Sequence, residues 1–363
     1  MSKVDLDYSL DDKYLLDEGR VFLSGTQALV KLPLIQKKID ELNNLNTAGF
    51  ISGYPGSPLG GYDHALHQAS NFLKDKQIVF QPGINEDLAA TALHGTQQTT
   101  LVDNPKHDGV FGIWFGKGPG VDRSGDALKH GNYAGSSKHG GVLALAGDDH
   151  AAKSSTTAHQ SDHAFIHFGM PILNPATVQD YIDFGLMGIA MSRYSGCWIG
   201  MKCITDTVES AASVDIGLKR FKPVLPDISD EEGDLHLQWG YMPAMSESRL
   251  YKQRLPAAQA FARANSIDRV IFQGQKKLAI VTSGKAYLDV RQSLDELGLS
   301  EKLCSKIGIS LYKVGMVWPL EPKNISNFVN GNEEVLVVEE KRPIVEDQLM
   351  KYLYNEKDRP LII

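Results

Sequence analysis

Short apolar segments that end near glycine alternate with helical segments through residues 20–200, and this alternation constrains the fold most strongly. Residues 47–52, 109–115 and 141–146 are almost entirely apolar, as strands of a parallel sheet are when both faces are covered. Helical spacing is found in residues 87–101 and 178–193. The pattern predicts an α/β domain of three layers (α/β/α), with a parallel sheet between two layers of helices.

A second, smaller α/β unit is predicted in the C-terminal quarter. Regular periodicity stops between residues 222 and 254, where prolines and an acidic run are typical of a segment that crosses the surface. Residues 255–265 then resemble a short Ala-rich helix, and residues 275–363 show a βαβαβα pattern. We therefore expect one domain over 1–221, a linker with a connecting helix over 222–274, and a second domain over 275–363.

Composition limits the compartment and the partners. The net charge of -7 argues against nucleic acid as a partner and gives no attraction to an anionic membrane. The first twelve residues lack the apolar core of a signal peptide, and residues 184–201 are interpreted as a buried helix followed by a strand. Cys197, Cys203 and Cys304 have the spacing of neither a disulfide framework nor an iron–sulfur motif. These features favour a reducing cytoplasm.

Two glycine-rich loops follow predicted strands, where parallel sheets bind their ligands. The loop over residues 51–61 has four glycines and two prolines, which suits either a ligand-binding turn or a purely structural one. The loop over residues 115–126 has the glycines of a phosphate loop, but neither the GK[ST] ending nor dinucleotide-binding spacing is present. It is therefore weak as a nucleotide motif.

A carboxylate stands at the start of the Ala-rich helix predicted after residue 83. Glu86 has mostly small neighbours and lies in the first helical turn, where the helix dipole favours an acid. Capping alone explains such a residue. A functional role is the alternative, and the residue pattern by itself leaves both open.

Histidines are concentrated in one part of the chain, with six of the eleven between His130 and His167. His159, His163 and His167 are spaced so that a single helix would place them on one face. Histidines four residues apart can bind zinc, but the glutamate of HExxH is absent, and Gly169 and Pro171 end the helix. A polar loop beside a ligand or subunit contact is the favoured interpretation, and no metal site is predicted.

Five motifs resemble those of the thiamine diphosphate-dependent 2-oxoacid:ferredoxin oxidoreductases, and in particular their indolepyruvate branch. They occur in the family's order across roughly residues 14–360, which makes the set far more specific than any single motif. The motifs are Tyr54-Pro-Gly-Ser-Pro58, Asn85-Glu86 before an Ala-rich helix, Lys117-Gly-Pro-Gly-Val-Asp122 followed by Asp126, Gly147-Asp-Asp-His150 with Ser154-Ser155, and Val337-Val-Glu-Glu-Lys-Arg-Pro343.

The resemblance implies a pyrimidine-binding thiamine diphosphate domain followed by a domain like the C-terminal domain of transketolase. It implies that Glu86 is the catalytic glutamate that hydrogen-bonds N1′ of the aminopyrimidine ring. The cofactor-binding residues would be Tyr54, Pro55, Gly56, Ser57 and Pro58 together with Glu86, and the candidates for binding the substrate carboxylate would be Lys117, Lys153, Ser154 and Ser155. The implied reaction is oxidative decarboxylation of a 2-oxo acid to an acyl-coenzyme A, with electrons passed through iron–sulfur clusters to ferredoxin.

Two family features are missing from the sequence. The family binds the diphosphate and Mg²⁺ with a domain that carries a GDG motif, and neither that motif nor the cluster cysteines are present. The final residues 360–363 are apolar and resemble the start of a further strand, although a C-terminal edge strand is the alternative. We therefore expect a fragment or a subunit in a homo- or hetero-oligomer, which depends on diphosphate-binding and gamma-type domains or subunits.

Two other functions compete with this hypothesis. One is a non-catalytic α/β binding or regulatory subunit that kept the fold and lost the chemistry, although the presence of Glu86 argues against it. The other is a subunit of a transketolase-like thiamine enzyme, which the indolepyruvate-type loops disfavour. The identity of the 2-oxo acid does not follow from the sequence, because arylpyruvates are implied only by the resemblance.

Overall fold

The computed structural model describes residues 8–227, 234–240 and 242–363, and its strands over these residues form three sheets. The strands are β1 (Arg20–Ser24), β2 (Thr47–Gly53), β3 (Ile78–Phe80), β4 (Gly109–Lys117), β5 (Val142–Asp148), β6 (Ile172–Leu173), β7 (Ile199–Ile204), β8 (Ala211–Asp215), β9 (Arg269–Phe272), β10 (Leu278–Ser283), β11 (Ile309–Val314), β12 (Met316–Trp318), β13 (Glu334–Val338) and β14 (Leu361–Ile362).

The helices lie between these strands and cover the two larger sheets. They are α1 (Asp12–Leu15), α2 (Gly25–Leu42), α3 (Gly60–Gln68), α4 (Ser70–Asp75), α5 (Glu86–Gln97), α6 (Gly118–Arg123), α7 (Gly125–Ala134), α8 (Asp162–Phe168), α9 (Val178–Ser195), α10 (Thr205–Val208), α11 (Pro243–Arg249), α12 (Leu255–Ala264), α13 (Gly284–Glu296), α14 (Glu301–Ile307), α15 (Pro322–Val329) and α16 (Val345–Leu353).

The largest sheet has the order β12-β6-β7-β5-β4-β2-β3, and its strands are parallel except for β12, which pairs antiparallel with β6. The central strands β4, β5 and β7 are buried along almost their entire length. This burial on both faces explains their apolar sequences. The α/β fold predicted from the alternation of apolar and helical segments is confirmed.

The C-terminal sheet has the order β14-β13-β10-β11-β9, with β9 antiparallel to β11 and the other pairs parallel. It starts at Arg269, ahead of residue 275, because β9 is an edge strand that the sequence pattern did not reveal. At the opposite edge, β14 pairs with β13. The apolar residues 361–362 therefore form an edge strand of this sheet.

A small antiparallel sheet of β1 and β8 was not predicted either. Helix α2 begins at Gly25, directly after β1. Its start is fixed by a capping box in which Ser24 and Gln27 exchange side-chain-to-backbone hydrogen bonds of 3.2 and 3.0 Å. A sequence signal for this helix start was therefore present, but the strand before it carried too little alternation to be recognised.

The acidic run predicted within the 222–254 segment lies largely outside the described residues, but the part after residue 242 is more helical than its sequence suggested. Residues 243–264 run continuously through α11, a π-helical turn (Leu250–Arg254) and α12. The guanidinium of Arg254 is buried and donates hydrogen bonds to the carbonyl oxygens of Leu235, Asn132, Tyr133 and Ala134 at 2.7–3.2 Å. One buried cation thereby joins the crossing segment to the C-terminal end of α7.

Side chains from both units share one hydrophobic core. The cluster on one face of the large sheet includes Trp114 and Trp198 of the first unit and continues through Val281, Val314 and Val335 of the second. The strand β12 also comes from the second unit and completes the edge of the first sheet. The two units are therefore interlocked.

Candidate active site

The carboxyl ends of four parallel strands place the sequence motifs at one edge of the large sheet. Strands β3, β2, β4 and β5 are consecutive neighbours in the sheet. In register, Gly53 pairs with Phe115 and Lys117 pairs with Gly147. The ends of these four strands and the loops that follow them contain the first four motifs. Chain segments about 90 residues apart therefore meet here, as the rule for ligand binding in parallel sheets predicts.

The loop with Tyr54, Pro55, Gly56, Ser57 and Pro58 follows β2 and lies against the ends of β4 and β5. The backbone N–H of Tyr54 donates to the carbonyl oxygen of Phe115 at 3.1 Å. A Cβ atom added to Gly56 would lie 2.7 Å from Cδ of Lys117, and one added to Gly147 would lie 3.2 Å from the ring of Pro58. Tyr54 and Pro55 face solvent, whereas Pro58 is buried.

Glu86 is the first residue of α5 and is 8% exposed. The residue that caps the helix is Asn85, whose side chain accepts from the backbone N–H of Leu88 at 2.9 Å. Trp114 fixes the Glu86 backbone from below, because its indole N–H donates to the Glu86 carbonyl oxygen at 2.9 Å. The cap is thus supplied by a neighbour, and the Glu86 carboxylate is available for another role.

Glycines make the space that the Glu86 side chain occupies. A Cβ atom on Gly120 would lie 2.6 Å from Oε1 of Glu86, and one on Gly116 would lie 3.3 Å from Cγ. The loop before α5 is tied to the β2 loop by a 2.9 Å hydrogen bond from the backbone N–H of Gly83 to the carbonyl oxygen of Gly53. The carboxylate consequently lies among backbone surfaces of the loops after β3 and β4.

Lys117 is half-buried at the end of β4 and is the last residue before α6. The imidazole of His159 packs against the next residue, Gly118. A Cβ atom added to Gly118 would lie 2.3 Å from Cγ of His159. His159 Nε2 is 2.9 Å from Oγ1 of Thr157, and Nδ1 is 3.7 Å from Oδ2 of Asp122. His159 was not predicted as a site residue, because its position depends on a contact between distant chain segments.

The three histidines predicted on one helix face are not on one helix. Helix α8 begins at Asp162, so His159 lies in the preceding loop, whereas His163 and His167 are helical. Directly before the helix, the backbone N–H and the hydroxyl of Ser161 donate hydrogen bonds to the Asp148 carboxylate at 2.8 and 2.6 Å. Gly169 ends the helix in a left-handed conformation, as predicted.

The loop that carries Lys153, Ser154 and Ser155 is folded around Asp149. The Asp149 carboxylate accepts from the backbone N–H groups of Lys153 and Ser154 at 3.1 and 2.8 Å. The hydrogen bond from Ser154 is the main reason that the pKa of Asp149 is lowered. Lys153 and Ser154 are exposed, Ser155 and Lys117 are half-buried, and Glu86 is buried.

Charged groups are buried beneath this loop. Lys202 on β7 donates to Asp162 at 2.8 Å, and both side chains are nearly inaccessible. Burial opposes the charged form of Lys202, but Asp162 and Asp148 outweigh it and raise the pKa of the ammonium group. Burial also opposes the charged form of Asp148 and raises the pKa of that carboxyl group, although the nearby Lys202 acts in the opposite direction. This network fixes the base from which the loop emerges.

The described residues contain no group of three or more His, Cys, Asp or Glu side chains that could hold a metal ion. The cysteines Cys197, Cys203 and Cys304 are buried and unbridged. Among the helices in the described part of the chain, none has the length and apolar character needed to cross a membrane.

A family model and curated proteins match this chain. Residues 268–363 match the model described as the indolepyruvate ferredoxin oxidoreductase middle domain. The indolepyruvate oxidoreductase subunit IorA of Methanothermobacter marburgensis is 23% identical over 355 residues, which cover 96% of this chain and 51% of that protein. The chain is similar to indolepyruvate ferredoxin oxidoreductase. The IorA subunit of Archaeoglobus fulgidus is 22% identical over 331 residues, covering 90% of this chain and 48% of that subunit.

Solved structures show the same fold at lower sequence identity. The 2-oxoglutarate:ferredoxin oxidoreductase from Magnetococcus marinus, determined with 2-oxoglutarate, coenzyme A and succinyl-CoA bound, superposes with a TM-score of 0.67 and 14% identity over 95% of this chain and 62% of that one. An inactive β4 tetramer of a split-gene transketolase superposes with a TM-score of 0.53 and 12% identity, covering 94% and 88% of the two chains. The chain spans about half the length of the IorA subunits.

Proposed function

We propose that this chain supplies the pyrimidine side of a thiamine diphosphate site in an oxidoreductase that acts on 2-oxo acids of the indolepyruvate or arylpyruvate type and passes electrons to ferredoxin. The observation that carries the proposal is the position of Glu86, whose carboxylate lies among the glycine-rich loops at the carboxyl ends of the strands. Similarity to the IorA subunits over most of the chain supports the same reaction class.

The residues present fit an aminopyrimidine ring. The carboxylate of Glu86 can hold a proton at the ring nitrogen N1′, and Gly116 and Gly120 leave the adjacent backbone free of side chains. The loop from the half-exposed Tyr54 to Pro58 follows β2, which is the neighbour of β4 in the sheet, and would bind the ring or exclude water from it. When bound, thiamine diphosphate serves as the electron sink for decarboxylation of a 2-oxo acid.

The substrate carboxylate requires positive charge or hydrogen-bond donors near the ring. Lys117 is half-buried at the end of β4, and its stem packs against Gly56 beside the proposed ring site. Lys153, Ser154 and Ser155 are proposed to approach from the open loop above it. In this arrangement Lys117 orients the substrate, and the loop excludes water behind it.

The remaining parts of the reaction are proposed to come from partners. Mg²⁺ and the diphosphate need oxygen ligands, which we assign to a diphosphate-binding domain or subunit. Iron–sulfur clusters and coenzyme A are assigned to the complete enzyme, with ferredoxin as electron acceptor and a cytoplasmic location. Exposed apolar side chains beside Glu86, namely Tyr54 at 43%, Ile84 at 84% and Leu88 at 49%, support a partner contact at this face.

Replacing Glu86 by glutamine tests the proposal in the chain assembled with its partner. Glutamine still hydrogen-bonds N1′ but cannot give it a proton, so exchange of the thiazolium C2 proton in deuterated water should slow by about 10²–10⁴-fold, with the fold retained. The matched control is Asp87→Asn on the next residue, which should exchange at the wild-type rate. Wild-type exchange in Glu86→Gln would instead favour a non-catalytic binding or regulatory subunit.

A further inference from the structure

The last of the five motifs lies in the second unit, and its position in the structure suggests a role. Residues 337–343 form the end of β13 and the turn that leads into α16. This turn reaches the first unit and contacts the loop over residues 149–160, which contains Lys153, Ser154, Ser155 and His159. Two motifs almost 200 residues apart in sequence therefore meet at the candidate site.

One end of the loop is held at His150. The ammonium group of Lys341 donates to the His150 carbonyl oxygen at 2.7 Å. The imidazole Nδ1 of the same residue lies 3.5 Å from Oε2 of Glu340, and both side chains are largely shielded from solvent. Backbone and side chain of His150 are thus each bound by a different residue of the second unit.

The other end of the loop is held at Gln160. Its side-chain amide donates to the Arg342 carbonyl oxygen at 3.0 Å and accepts from the Arg342 backbone N–H at 3.1 Å. A third hydrogen bond of 3.3 Å comes from Nε of Arg342. Because Gln160 is only 9% exposed, this reciprocal pair is protected from competition with water.

The turn that provides these contacts is itself fixed. The carboxylate of Glu339 accepts from the backbone N–H groups of Ile344, Val345 and Glu346 at 3.0–3.2 Å, which caps α16. Burial raises the pKa of Glu339, and these hydrogen bonds oppose that rise. The Glu340–Arg342 segment is therefore held between a strand and a capped helix.

We infer that Glu340, Lys341 and Arg342 are positioning residues that hold the 149–160 loop at both ends, so that its candidate substrate contacts are kept over the site. The inference rests on the proposed function for the role of the loop. Without anchors, a loop of this length would sample many conformations, and each substrate encounter would have to order it. The second unit thereby acts on the substrate side of the site through contacts with the loop.

The test uses the full chain with Lys341→Met combined with Gln160→Ala, followed by hydrogen exchange of the amides of residues 150–158. Loss of these anchors should speed their exchange by about tenfold, while α5 and β4 stay at the wild-type rate. The single variant Lys341→Arg, in a chain that retains Gln160, should keep the slow exchange of the wild type, because arginine can also donate to the His150 carbonyl oxygen. Lys351→Met on the exposed face of α16 is the matched control and should change nothing. Unchanged exchange in the double variant would overturn the inference.

Kinetics of the assembled enzyme, with phenylpyruvate as the 2-oxo acid, separate positioning from simple structural support. The double variant should raise KM about tenfold and leave C2 proton exchange, which depends on Glu86, unaltered. Faster loop exchange with an unchanged KM would mean that the contacts hold the loop without serving the substrate, and would overturn the positioning role. Failure of the proposed function would appear differently, as an absence of thiamine-dependent turnover in the wild-type assembly with any arylpyruvate.

Discussion

At the residue scale, the candidate site depends on the absence of side chains as much as on Glu86 itself. Gly116 and Gly120 both lie within contact distance of the Glu86 side chain, and neither has a positive φ that would require glycine for backbone reasons. A Cβ atom on Gly120 would meet the Glu86 carboxylate, whereas one on Gly116 would first meet the Trp114 indole at 2.7 Å and then Cγ of Glu86 at 3.3 Å. A carboxylate that must meet a ligand benefits from such a rigid and narrow surrounding.

Replacing Gly120 by alanine should displace the Glu86 carboxylate without disturbing the fold. The new methyl group would lie 2.6–2.9 Å from Oε1, Cγ and Cδ of Glu86, so the whole carboxylate end must move rather than one atom. Misplacement of a reacting group by about 1 Å commonly costs about 10²-fold in rate, and we expect a loss of that order in C2 proton exchange.

Gly61→Ala is the matched control for this change, because a Cβ atom there meets nothing within 4 Å. It lies in α3, downstream of the Tyr54 loop, and should leave exchange and melting temperature at wild-type values. If the C2 proton exchanged as fast with Gly120→Ala as with Gly61→Ala, the close contact between Glu86 and Gly120 would not contribute to catalysis.

The sequence was informative for residues that belong to local motifs and uninformative for residues placed by distant contacts. Glu86 could be proposed because it falls in one of the motifs that carry the family resemblance, whereas the residue pattern by itself left helix capping as an alternative. Trp114 and His159 could not, since the first acts through the Glu86 carbonyl and the second through Gly118, 41 positions away in sequence. Their roles follow only from the way in which the strands are ordered in the sheet.

At the element scale, buried strands and long helices were predicted within a few residues. Strands β4 and β5 were found from hydrophobicity, because central strands covered on both faces are almost entirely apolar. Helix α9 was found from its helical spacing. Strand β12, of three residues, could not be found, since its identity depends on pairing with β6 rather than on its own sequence. The same reason explains why β9 was missed at the edge of the second sheet.

The start of β12 is bound by a single buried carboxylate, that of Asp268. This carboxylate should make the free energy of unfolding depend on pH. Asp268 accepts from the backbone N–H groups of Gly315 and Met316 at 2.8 and 3.1 Å. Burial raises the pKa of Asp268 to about 7, despite these hydrogen bonds. In the unfolded chain the pKa is about 3.9, so the folded state holds the proton more tightly between these values. The stabilising contribution of the protonated acid is therefore complete below about pH 4 and is lost as the pH rises to about 7.

The asparagine of the Asp268→Asn variant cannot ionise, so the variant should not lose this contribution to stability between about pH 4 and about pH 7. The free energy of unfolding of the variant, relative to the wild type, should rise by about 2 kcal/mol between pH 5 and pH 7, because one unit of pKa shift corresponds to about 1.4 kcal/mol. Urea titrations at several pH values measure this difference. Asp295→Asn on the exposed side of α13 is the control, and parallel pH profiles for Asp268→Asn and wild type would show that Asp268 is ionised in the folded protein.

At the scale of the whole molecule, an ion pair buried between the two units complements their shared core. The Lys313 ammonium on β11 donates to Asp180 of α9 at 2.6 Å and lies over the rings of Phe184 and Tyr287. Asp180 also accepts from the backbone N–H of Ala176. Because both charges are buried, each depends on the other for its compensation.

Lys313→Met should weaken the whole protein, and not the second unit alone. Removing one partner of a buried pair leaves an uncompensated charge and typically costs about 3–5 kcal/mol. We expect urea unfolding, followed separately by tryptophan fluorescence and by far-ultraviolet circular dichroism, to keep coincident midpoints that shift together. Lys323→Met, which is exposed on α15, should leave the midpoint in place.

The double variant Lys313→Met with Asp180→Asn distinguishes an uncompensated charge from lost packing. Asparagine keeps an acceptor for the Ala176 N–H but carries no charge, so the double variant should regain more than half of the stability that Lys313→Met loses. A double variant that is less stable than the single one would show that the pair contributes through contacts other than charge compensation.

The strand exchanged between the units also has a consequence for synthesis of the chain. Strand β6 is paired on its outer side by β12, which leaves the ribosome long after the rest of the large sheet. Until then the growing polypeptide presents an open sheet edge beside an incomplete apolar surface, and such edges attract other chains. Nascent chains stalled between α12 and β12 should therefore associate with molecular chaperones, and release from them should follow translation of Trp318.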